Sequence, residues 1–580
     1  MSNTTACPLD CYDACQMTYE SGKLKGLQGG HTHGFLCPHL NHYENFERIT
    51  QPTYKGKVIS LDEALQKLKK IIGQTPKQQL LHYKSHGNFG LMQDVLEHFF
   101  ASNGNILVDG SLCDSAGEAG ILQGRGSNKN MPYSEIAKSD IVIFWGRNPH
   151  VSSSHLLPLM KNKKIIVIDP VKTQIAKMAD YHVQLKPHTD IYFAMLLTRF
   201  LHIEDSCDKE FIKKYASEFE EYYELTQSIR IKATLDIMGL TLGDIGAVLE
   251  MLKDKKVAIV CGVGIQKYTD GADVMRSIDA FAVALGLFGK EGCGVAYLGN
   301  SKENILSPFN TKAKRVSKVN TAFDEFESVF IQGANPLSQM PDTSRVNNSI
   351  FHTKNVIYFG LWENKTSKCA DLIIPAKTFL EKDDVRTSFA HHTLSLMPKQ
   401  VESEIGISEY DLAKFLCDSF GIEIKTEQEY LEHFKNFGVM SIDGVFEVEN
   451  RQSTPYKDGF DTDDGEFVFL DELESIKENE DGKLHLITSK SSQSLNSQFN
   501  RDRHVYINDS HGIKAKEKVK ITSQNGEVVL EVKIMPELRD DCILIYSGTQ
   551  GVNNLTSSQH SYDGKCAVYQ ENMVSILRDF

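Results

Sequence analysis

A Gly-x-Asn-Pro turn occurs twice in this chain of 580 residues, each time directly after a short apolar segment. The copies are residues 146–149 and 333–336, and each is followed by a predicted helix, a predicted strand and an Ala-Asp pair, Ala179-Asp180 or Ala370-Asp371. Glycine permits close backbone approach, and proline ends a strand. Ligands of open α/β sheets bind at the carboxyl ends of strands. The repeat therefore predicts two similar halves, which either bind two similar ligands or arose by duplication and keep one functional site. Two unrelated tight turns are the alternative.

The centre of the chain alternates apolar strands with helices. Predicted strands cover residues 79–84, 105–108, 140–145, 164–168, 256–261, 328–332 and 355–360. Predicted helices cover residues 91–101, 155–161, 272–285 and 342–351. Continuous apolar strands separated by helices are typical of parallel sheets that are covered on both faces. The sequence therefore predicts a multidomain α/β fold.

The last part of the chain has a different pattern. Residues 443–481 contain 14 Asp or Glu against three Lys or Arg, and this composition favours a solvated connection or surface extension. Beyond it, short apolar runs at 484–488, 518–522, 527–534 and 542–546 are separated by turn residues. These runs predict a separate β domain, which we expect to be a barrel.

Composition and charge narrow the functional class. The hydrophobic fraction of 41% is too high for a disordered chain, and the net charge of −14 argues against nucleic acid as a partner. No apolar run approaches the ~18 residues of a membrane helix. The N-terminus lacks the features of a secretion signal, so we expect a cytoplasmic protein without a direct membrane span. Gly262-Val263-Gly264 lacks the third glycine of a dinucleotide fingerprint, so neither NAD nor ATP is predicted.

Four of the 12 cysteines, Cys7, Cys11, Cys15 and Cys37, fall near the start of the chain. Four thiolates at this density can hold a [4Fe–4S] cluster or one Zn²⁺ ion. Structural zinc sites usually show two C-x2-C pairs, whereas here three thiols recur at every fourth residue and the last returns from a distant loop. The spacing favours the cluster, and zinc stays as the alternative.

The same N-terminal segment resembles a known protein family. CPLDCYDAC, with GKLKGLQGG and GFLC after it, is similar to the cluster module of the molybdopterin oxidoreductases, the dimethyl sulfoxide reductase family. The likeness continues, in the family's order, through FWGRNP, KIIVIDP, KMADYHVQLKPHTD, CGVGIQKYTDG, GLFGKEGCG, IQGANP, SKCADLIIPAKTFLE and GTQGVNNLTSS. It covers most of the chain.

The resemblance implies a bis(molybdopterin guanine dinucleotide) cofactor that carries molybdenum or tungsten. It also implies a small [4Fe–4S] module at residues 1–50 and two pseudo-symmetric, Rossmann-like α/β domains that each bind one pterin dinucleotide. We expect residues 51–108 and 320–475 to form one of these domains and residues 109–319 to form the other. A C-terminal dinucleotide-binding β-barrel at residues 483–580 would close over the cofactor.

The resemblance also assigns candidate site residues. Cys113 stands where the family commonly supplies one protein ligand to the metal, and a thiolate suits a soft metal; a buried free cysteine is the alternative. The residues that match the family's cofactor-binding segments are Gly146, Asn148, Asp169, Pro170, Pro187, Asp190, Gly333, Asn335, Pro336, Asp371, Asn553 and Asn554. Each of these could instead be only a turn or cap residue.

Two positions depart from the family's pattern. Its formate dehydrogenases have His directly after the metal ligand, whereas this chain has Asp114, which argues against formate as the substrate. Many members have Lys two residues after the fourth cluster cysteine, where this chain has His39. His39 could still donate a hydrogen bond between cluster and pterin, or it could be an ordinary surface residue. By resemblance, Glu381 and Arg386 lie in a segment that approaches the cofactor.

The implied activity is two-electron redox chemistry on a small substrate, by oxygen-atom or hydride-equivalent transfer, with electrons relayed through the [4Fe–4S] cluster. Because no flavin or NAD motif is evident, we expect an external electron carrier or an iron–sulfur subunit as the partner. Three alternatives stay open: a non-redox hydratase or transhydroxylase on the same cofactor, a structural electron-transfer subunit that lacks the metal, and a zinc-binding protein.

Overall fold

The computed structural model describes residues 3–40, 43, 47–473, 482–498 and 502–578. The chain divides into two compact units, each built from three separate segments. The first unit consists of Met1–Gly110, Ser301–Arg451 and Ser492–Arg501. The second unit consists of Ser111–Asn300, Gln452–Ser491 and Asp502–Phe580.

The described residues form the following elements. The strands are β1 (Thr4–Ala6), β2 (Gln16–Glu20), β3 (Lys23–Gly26), β4 (Thr53–Tyr54), β5 (Lys57–Val58), β6 (Leu80–Lys84), β7 (Ile106–Asp109), β8 (Ile141–Trp145), β9 (Lys164–Ile168), β10 (Tyr181–Val183), β11 (Val257–Cys261), β12 (Gly294–Ala296), β13 (Arg315–Ser317), β14 (Ser328–Gln332), β15 (Asn355–Gly360), β16 (Leu372–Pro375), β17 (Asp384–Thr387), β18 (Thr393–Met397), β19 (Gly438–Ile442), β20 (Val445–Val448), β21 (Leu484–Ile487), β22 (His504–Ile507), β23 (Lys518–Thr522), β24 (Glu527–Ile534), β25 (Cys542–Leu544) and β26 (Met573–Leu577). The α-helices are α1 (Leu61–Gln74), α2 (Val95–Ser102), α3 (Ser115–Arg125), α4 (Tyr133–Ile136), α5 (Gln174–Met178), α6 (Asp190–Ile203), α7 (Lys209–Tyr215), α8 (Phe219–Gln227), α9 (Ile231–Met238), α10 (Leu242–Leu252), α11 (Gly271–Ala284), α12 (Pro336–Gln339), α13 (Thr343–His352), α14 (Glu409–Phe420) and α15 (Glu427–Lys435). Short 3-10 helices cover Lys77–Gln79, Leu91–Asp94, Ser154–Met160, Val263–Gln266, Phe323–Glu325, Ser367–Cys369, Asp509–His511 and Val552–Asn554.

These elements confirm the predicted α/β pattern, and the predicted strands and helices match the observed ones to within a few residues. The helix predicted at 155–161 is a 3-10 helix, Ser154–Met160. Pro158 lies inside it, and proline lacks the backbone N–H that an α-helical hydrogen bond needs.

An eight-stranded sheet forms the centre of the first unit, in the order β13-β7-β6-β14-β15-β16-β4-β5. From β13 to β16 the strands run parallel, and Ser328 of β14 lies opposite both Leu80 of β6 and Asn355 of β15. Apolar side chains of this sheet pack with those of α1, α2 and α14 in one core. The β17-β18-β20-β19 sheet and the β1-β2-β3 sheet belong to the same unit.

Residues 301–319 lie in the first unit, whereas the sequence placed them in the second α/β domain. The reason is strand β13, which pairs in parallel with β7 from Arg315 opposite Leu107 to Ser317 opposite Asp109. This strand is three residues long and contains only one apolar residue, so it carries no recognisable strand pattern.

A five-stranded parallel sheet, β10-β9-β8-β11-β12, forms the centre of the second unit, and helices α3, α6 and α11 pack together beside it. The acidic stretch corrects one prediction. Instead of forming a solvated connection, it buries Tyr456, Phe460, Phe467 and Phe469 in the core of this unit. Within that stretch, residues 474–481 lie outside the described part of the chain.

The two central sheets repeat the same arrangement, which confirms the predicted pseudo-symmetry. The Gly-x-Asn-Pro turns follow β8 and β14. The backbone N–H groups of Gly146 and Gly333 donate to carbonyl oxygens near the ends of the neighbouring strands β9 and β15, those of Ile168 (2.8 Å) and Phe359 (2.9 Å). Since strand order and hydrogen bonds agree in both copies, the repeat reflects two equivalent sheets rather than two unrelated turns.

The C-terminal segment forms a closed barrel in the order β21-β25-β22-β24-β23-β26, as the sequence predicts. Leu486, Val505, Val519 and Ile543 are among the side chains that fill its interior. Among the helices of the described residues, none combines the length and the apolar character that a membrane crossing requires.

Candidate functional site

The four N-terminal cysteines come together in the first unit. Burial raises the pKa of the Cys15 thiol, and Asp13 and the thiols of Cys7, Cys11 and Cys37 raise it further. Burial also raises the pKa of Cys7, with Cys37 and Cys11 adding to the effect. The backbone N–H of Cys7 also donates to the Cys15 carbonyl oxygen over 2.9 Å, and both side chains pack in the same hydrophobic cluster. Positive metal ions would favour the ionised forms that burial disfavours, so the donor set fits a metal centre.

His39 lies beside the fourth cysteine. Its Nδ1 is 3.9 Å from Sγ of Cys37, and its Nε2 is 3.2 Å from the carbonyl oxygen of Ser494. Burial raises the pKa of Cys37, while the backbone N–H groups of Leu40 and His39 oppose that rise. The imidazole is therefore held at the edge of the cysteine group by contacts on both of its nitrogens.

A cavity of about 460 Å³ lies at the carboxyl ends of β6, β14 and β15 in the first unit, where Gly87, Gly333 and Glu363 are among its lining residues. The cavity is rich in side-chain amides, namely those of Asn88, Gln93, Gln332, Asn335, Gln339, Asn364, Asn496 and Gln498. Amides both donate and accept hydrogen bonds, as the edge of a pterin ring does. The polar groups of this cavity therefore fit a pterin dinucleotide.

Two strand-end turns meet at this cavity. Gly333 has a φ of +54°, and a Cβ at Gly87 would lie 2.5 Å from the Gly333 carbonyl oxygen. Only glycine permits this approach. Next to it, Nδ2 of Asn88 donates to the Lys377 carbonyl and to Glu409, but its buried Oδ1 has no partner among the described residues. A bound group with a donor at this place would satisfy that oxygen.

The cysteine loop borders the same cavity through Asp10, the residue before Cys11. Nδ2 of Asn496 donates to Oδ2 of Asp10 over 3.2 Å, and Nε2 of Gln498 donates to the Gly87 carbonyl oxygen over 3.1 Å. These two amides connect the cysteine loop with the strand-end turns. The sequence did not predict their role, because they lie in a polar segment far along the chain that carries no motif.

Two of the candidate residues of the first unit line the cavity, Gly333 and Asn335. The Asn335 side chain is fixed there, because its Nδ2 donates to Oγ of Ser497 (3.3 Å) and its Oδ1 accepts from Oγ1 of Thr366 (2.9 Å). Pro336 begins helix α12 directly after this turn. The turn thus presents one side-chain amide to the cavity and directs the chain away from it.

Asp371 lies at the opposite edge of the sheet. Its Oδ2 accepts the backbone N–H of Val356 over 2.9 Å, near the amino end of β15. In the second unit, Asp180 accepts the N–H of Ile165 over the same distance. Both carboxylates therefore join the start of one parallel strand to the next. In this structure the Asp371 carboxylate holds the sheet, and its contact with a cofactor stays a prediction.

The carboxyl edge of the second sheet has the same construction as the first. Gly146 has a φ of +62°, and a Cβ at Gly262 would lie 1.8 Å from the Gly146 carbonyl oxygen. Gly262 follows β11 as Gly87 follows β6, so each sheet brings a second glycine against its repeated turn. In that turn, Oδ1 of Asn148 accepts the backbone N–H of His150 over 3.2 Å.

Two acids lie at this edge, the half-buried Asp169 and the buried Asp190. Burial raises the pKa of Asp169 to about 7, and its Oδ1 accepts the N–H of Val171 over 2.8 Å. Burial also raises the pKa of Asp190 to about 6, although Nε1 of Trp145 donates to this carboxylate over 2.6 Å. Because the two acids follow β9 and β10, the structure places them at the same edge as Gly146.

The remaining candidates of the second unit have structural contacts. The carbonyl oxygen of Pro170 accepts a hydrogen bond from Nε2 of Gln184 over 3.0 Å. Pro187 is buried. In the C-terminal segment, Oδ1 of Asn553 accepts a hydrogen bond from Oγ1 of Thr556 over 3.3 Å. Nδ2 of Asn554 donates to the carbonyl oxygen of Glu527 over 3.2 Å, which ties this segment to the start of β24.

Cys113 lies in a turn just before helix α3 of the second unit. Oγ of Ser111 accepts the backbone N–H of Cys113 over 2.9 Å and donates to Oδ1 of Asp114 over 2.7 Å. The Gln266 amide spans the turn, because its Nε2 donates to the Cys113 carbonyl oxygen and its Oε1 accepts the N–H of Gly117, both at 2.8 Å. The turn that presents the thiol is thus fixed from both sides.

The comparison with family models decides the class of the protein. The model described as molybdopterin oxidoreductase matches residues 48–404, which is more than half of the chain. The chain belongs to the molybdopterin oxidoreductase family. The molydopterin dinucleotide binding domain matches residues 484–571, which contain most of the C-terminal barrel. As a member of this family, the protein is an oxidoreductase enzyme.

Individual relatives of this molybdopterin oxidoreductase are distant but nearly full-length. The probable oxidoreductase YyaE of Bacillus subtilis (strain 168) is 25% identical, over 99% of both chains. The F420-dependent formate dehydrogenase subunit alpha of Methanocaldococcus jannaschii is 22% identical, over 93% of this chain and 94% of the relative. Among solved structures, acetylene hydratase from Pelobacter acetylenicus matches with a TM-score of 0.75 at 17% identity, covering 94% and 93% of the two chains. This last likeness concerns the fold alone.

The Gln266 contacts lead to a first prediction for this molybdopterin oxidoreductase. Replacing Gln266 with alanine removes its hydrogen bonds to the Cys113 carbonyl and from the buried Gly117 N–H, which lowers the free energy of unfolding by about 1–3 kcal/mol. We also expect less molybdenum or tungsten in the purified protein, because the Cys113 turn loses its support.

Gln184 provides the matched control. Its Nε2 also donates to two backbone carbonyls of the second unit, those of Pro170 and Glu537. Gln184→Ala is expected to destabilise the protein to a similar extent with a smaller loss of bound metal. Equal metal contents in the two variants would show that Gln266 has no special role at Cys113.

Asp190 leads to a second prediction, on pH. The pKa of Asp190 is about 6 in the folded protein and about 3.8 when unfolded, so the folded state binds this proton more tightly. Its contribution to stability is therefore greatest at low pH and is lost as pH rises from about 4 to about 6. Asp190→Asn removes this loss and is expected to stabilise the cofactor-free protein at pH 8 by up to about 3 kcal/mol, with almost no effect at pH 4.

Urea unfolding of the cofactor-free protein at several pH values measures this difference. The exposed Asp236, which belongs to helix α9 of the same unit, supplies the control variant Asp236→Asn. A stability difference between wild type and Asp190→Asn that does not grow with pH would contradict the prediction.

Proposed function

We propose that this chain is a cytoplasmic molybdenum- or tungsten-dependent oxidoreductase that performs two-electron redox chemistry on a small substrate. In this proposal Cys7, Cys11, Cys15 and Cys37 hold a [4Fe–4S] cluster, and the metal is carried by a bis(molybdopterin guanine dinucleotide) cofactor. Electrons reach an external carrier or an iron–sulfur subunit through the cluster. The family match and the two equivalent sheets support a cofactor of two similar halves.

One observation carries the proposal. The loop between the first two cysteines contributes Asp10 to the same cavity that Gly333 and Asn335 line. A cluster on the cysteines and a pterin in the cavity would therefore share one loop of the first unit. This neighbourhood is what an electron relay requires, and a zinc site with a purely structural role would have no need of it.

The bound cofactor would supply the redox change at the substrate. The protein's own residues hold and orient it. Cys113 would bind the metal with its thiolate, while Ser111 and Gln266 fix the turn that presents this thiol. In the first unit, the amides of Asn335 and Asn496 would hydrogen-bond the pterin dinucleotide.

The second pterin dinucleotide would lie at the carboxyl edge of the second sheet, with Gly146, Asn148, Asp169, Pro170, Pro187 and Asp190 as candidate contacts. The close approach of the Gly146 and Gly262 backbones packs the two strand-end turns of this edge against each other, as Gly333 and Gly87 do at the cavity of the first unit. Asn553 and Asn554 are the barrel's candidates, and His39 is the candidate donor between cluster and pterin.

Elemental analysis of protein purified without air tests the proposal. We expect about four irons per chain, the content of one [4Fe–4S] cluster, together with one molybdenum or tungsten, and a guanine nucleotide among the products of pterin extraction. Iron without molybdenum or tungsten would favour an electron-transfer subunit. Zinc without iron would favour a zinc-binding protein, and a colourless protein without pterin would overturn the proposal.

A second measurement separates redox chemistry from hydration. Absorbance of the cluster reports its oxidation state, so the loaded protein is mixed with candidate substrates and artificial electron acceptors, with formate among the substrates. Turnover-dependent bleaching or dye reduction supports an oxidoreductase reaction. Product formation from an unsaturated substrate with no change in oxidation state would instead identify a hydratase.

A further inference from the structure

The β17–β18 hairpin of the first unit donates hydrogen bonds to the backbone of the cysteine loop. Nε of Arg386, in β17, donates to the carbonyl oxygen of Cys7 over 3.2 Å. Its Nη2 donates to the carbonyl oxygens of Leu9 and Cys11, at 3.2 Å and 3.4 Å. One guanidinium therefore links the backbone at the first two cysteines.

Two further side chains of the hairpin continue this pattern. Oγ of Ser388 donates to the carbonyl oxygens of Tyr12 and Asp13, at 3.4 Å and 3.2 Å. Nε2 of His391 lies 3.0 Å from the Asp13 carbonyl oxygen, so the Nε2–H form donates to it. The hairpin thereby fixes most of the loop's backbone between its first and third cysteines.

Arg386 is buried, and its hydrogen bonds within the described part of the chain go to carbonyl oxygens rather than to a carboxylate. Its side chain is among the largest that are fully buried, at 1% exposure, and its Cζ lies 3.8 Å from the centre of the Phe89 ring. The three hydrogen bonds described above all go to carbonyl oxygens, and Nη1 has no partner among the described residues. A buried charge in this condition is costly unless another negative group compensates it.

The groups that act electrostatically on Arg386 show where that compensation comes from. Burial lowers the pKa of Arg386, and the thiols of Cys7 and Cys11 and the carboxylates of Asp10 and Asp384 oppose this fall. Two of these four groups are proposed cluster ligands. A cluster bound by four thiolates has a net negative charge, and it gains one more on reduction.

We propose that Arg386 positions the cysteine loop and that its fixed charge raises the reduction potential of the [4Fe–4S] cluster. The inference rests on the proposed cluster. In the step concerned, the oxidised cluster accepts one electron from a reductant such as dithionite, and no bond to Arg386 forms or breaks. A buried cation stabilises the added negative charge, and net charge and hydrogen bonding are among the factors that set such potentials.

Redox titration followed by electron paramagnetic resonance tests the charge, using holoenzyme with mediators and dithionite. Arg386→Gln removes the charge and keeps an amide donor, whereas Arg386→Lys keeps the charge and lacks the guanidinium fork. At a fixed potential, we expect the ratio of reduced to oxidised cluster to fall at least tenfold in Arg386→Gln, which corresponds to 59 mV for one electron. In Arg386→Lys this ratio should stay within threefold of wild type.

Iron release to a chelator tests the positioning role in the same proteins. Both Arg386 variants should release iron several-fold faster than wild type, because the carbonyls of the loop lose their donors. Arg345→Gln is the matched control, since Arg345 also donates to three carbonyls of one loop in this unit, those of Val319, Asn320 and Thr321. It should change neither the potential nor the release of iron.

The possible outcomes distinguish this inference from the proposed function. A wild-type protein without any cluster overturns the proposed function, whereas a cluster with an unchanged potential in Arg386→Gln overturns the role of the charge. If Arg386→Gln does not retain iron, the reduction potential of the cluster in Arg386→Lys tests the role of the charge instead. A potential well below that of wild type contradicts the inference, and an unchanged potential supports it. Iron release at the wild-type rate in both variants contradicts the positioning role.

Discussion

Replacing Cys113 with alanine is expected to abolish turnover while the iron content stays at its wild-type level. The thiol is the proposed protein ligand to the metal, and the Ser111 and Gln266 contacts hold the turn that presents it. Loss of a residue that supports a metal ligand typically costs 10–100-fold in affinity or activity. Loss of the ligand itself should therefore reduce the turnover rate by more than roughly 100-fold.

The four N-terminal cysteines lie in the other unit of the chain, so Cys113→Ala should leave the visible absorbance of the cluster unchanged. Cys113→Ser, which keeps an oxygen ligand, is expected to retain measurable activity. Cys293 is the control, because this buried cysteine precedes β12 at the amino edge of the second sheet. Full activity in Cys113→Ala would show that the metal is bound without this thiol.

Replacing Cys11 with alanine is expected to remove the cluster and, with it, electron transfer to an external dye. The Cys11 thiol raises the pKa of the Cys7 and Cys15 thiols, and the Cys11 carbonyl oxygen accepts a hydrogen bond from Arg386. Because the cluster is held by Cys thiolates, loss of one should lower the iron content from about four per chain to three or fewer. Iron analysis and the visible spectrum measure this change directly.

Cys369 supplies the control for this experiment, since its exposed thiol lies outside the cysteine group. Cys369→Ala should keep the full iron content and the full dye-reduction rate. A Cys11→Ala protein with four irons and an unaltered spectrum would exclude Cys11 as a ligand. A wild-type protein with one zinc and no iron would instead identify the site as structural zinc.

Local sequence patterns were sufficient to predict much of the fold. Strands such as β9 and β14 contain short apolar runs bounded by turn residues, and such a run can be recognised from a few neighbouring residues. The repeated turn also predicted the equivalence of two sheets, because the same residues follow the same kind of strand. Strand β13 was missed, since its pairing with β7 is decided by distant parts of the chain.

Average composition misled the interpretation of the acidic stretch. Its charges are counted over the whole segment, whereas burial is decided by single aromatic residues such as Phe460 and Phe467. The structural contact of Asp371 was hidden from the sequence for a related reason. A position in a motif does not tell which edge of a sheet a side chain occupies, and here the carboxylate bonds Val356 at the amino edge.

The site was predicted less completely than the fold. The cysteine group and the turn at Gly333 could be found, because each is a compact motif. Asn496, Gln266 and Arg386 could not be assigned their roles, since each acts through contacts with residues far away in the sequence. Such pairings appear only once the chain has folded.

The division of each unit into three separate segments has a consequence for biosynthesis. On the ribosome, β6 emerges long before its partner β14, and the closing segment Ser492–Arg501 of the first unit emerges after most of the chain. Contacts between such distant segments form slowly, and incomplete intermediates expose apolar surface. We therefore expect the nascent polypeptide to depend on chaperones until translation ends, and prosthetic groups to be inserted only after release of the finished chain.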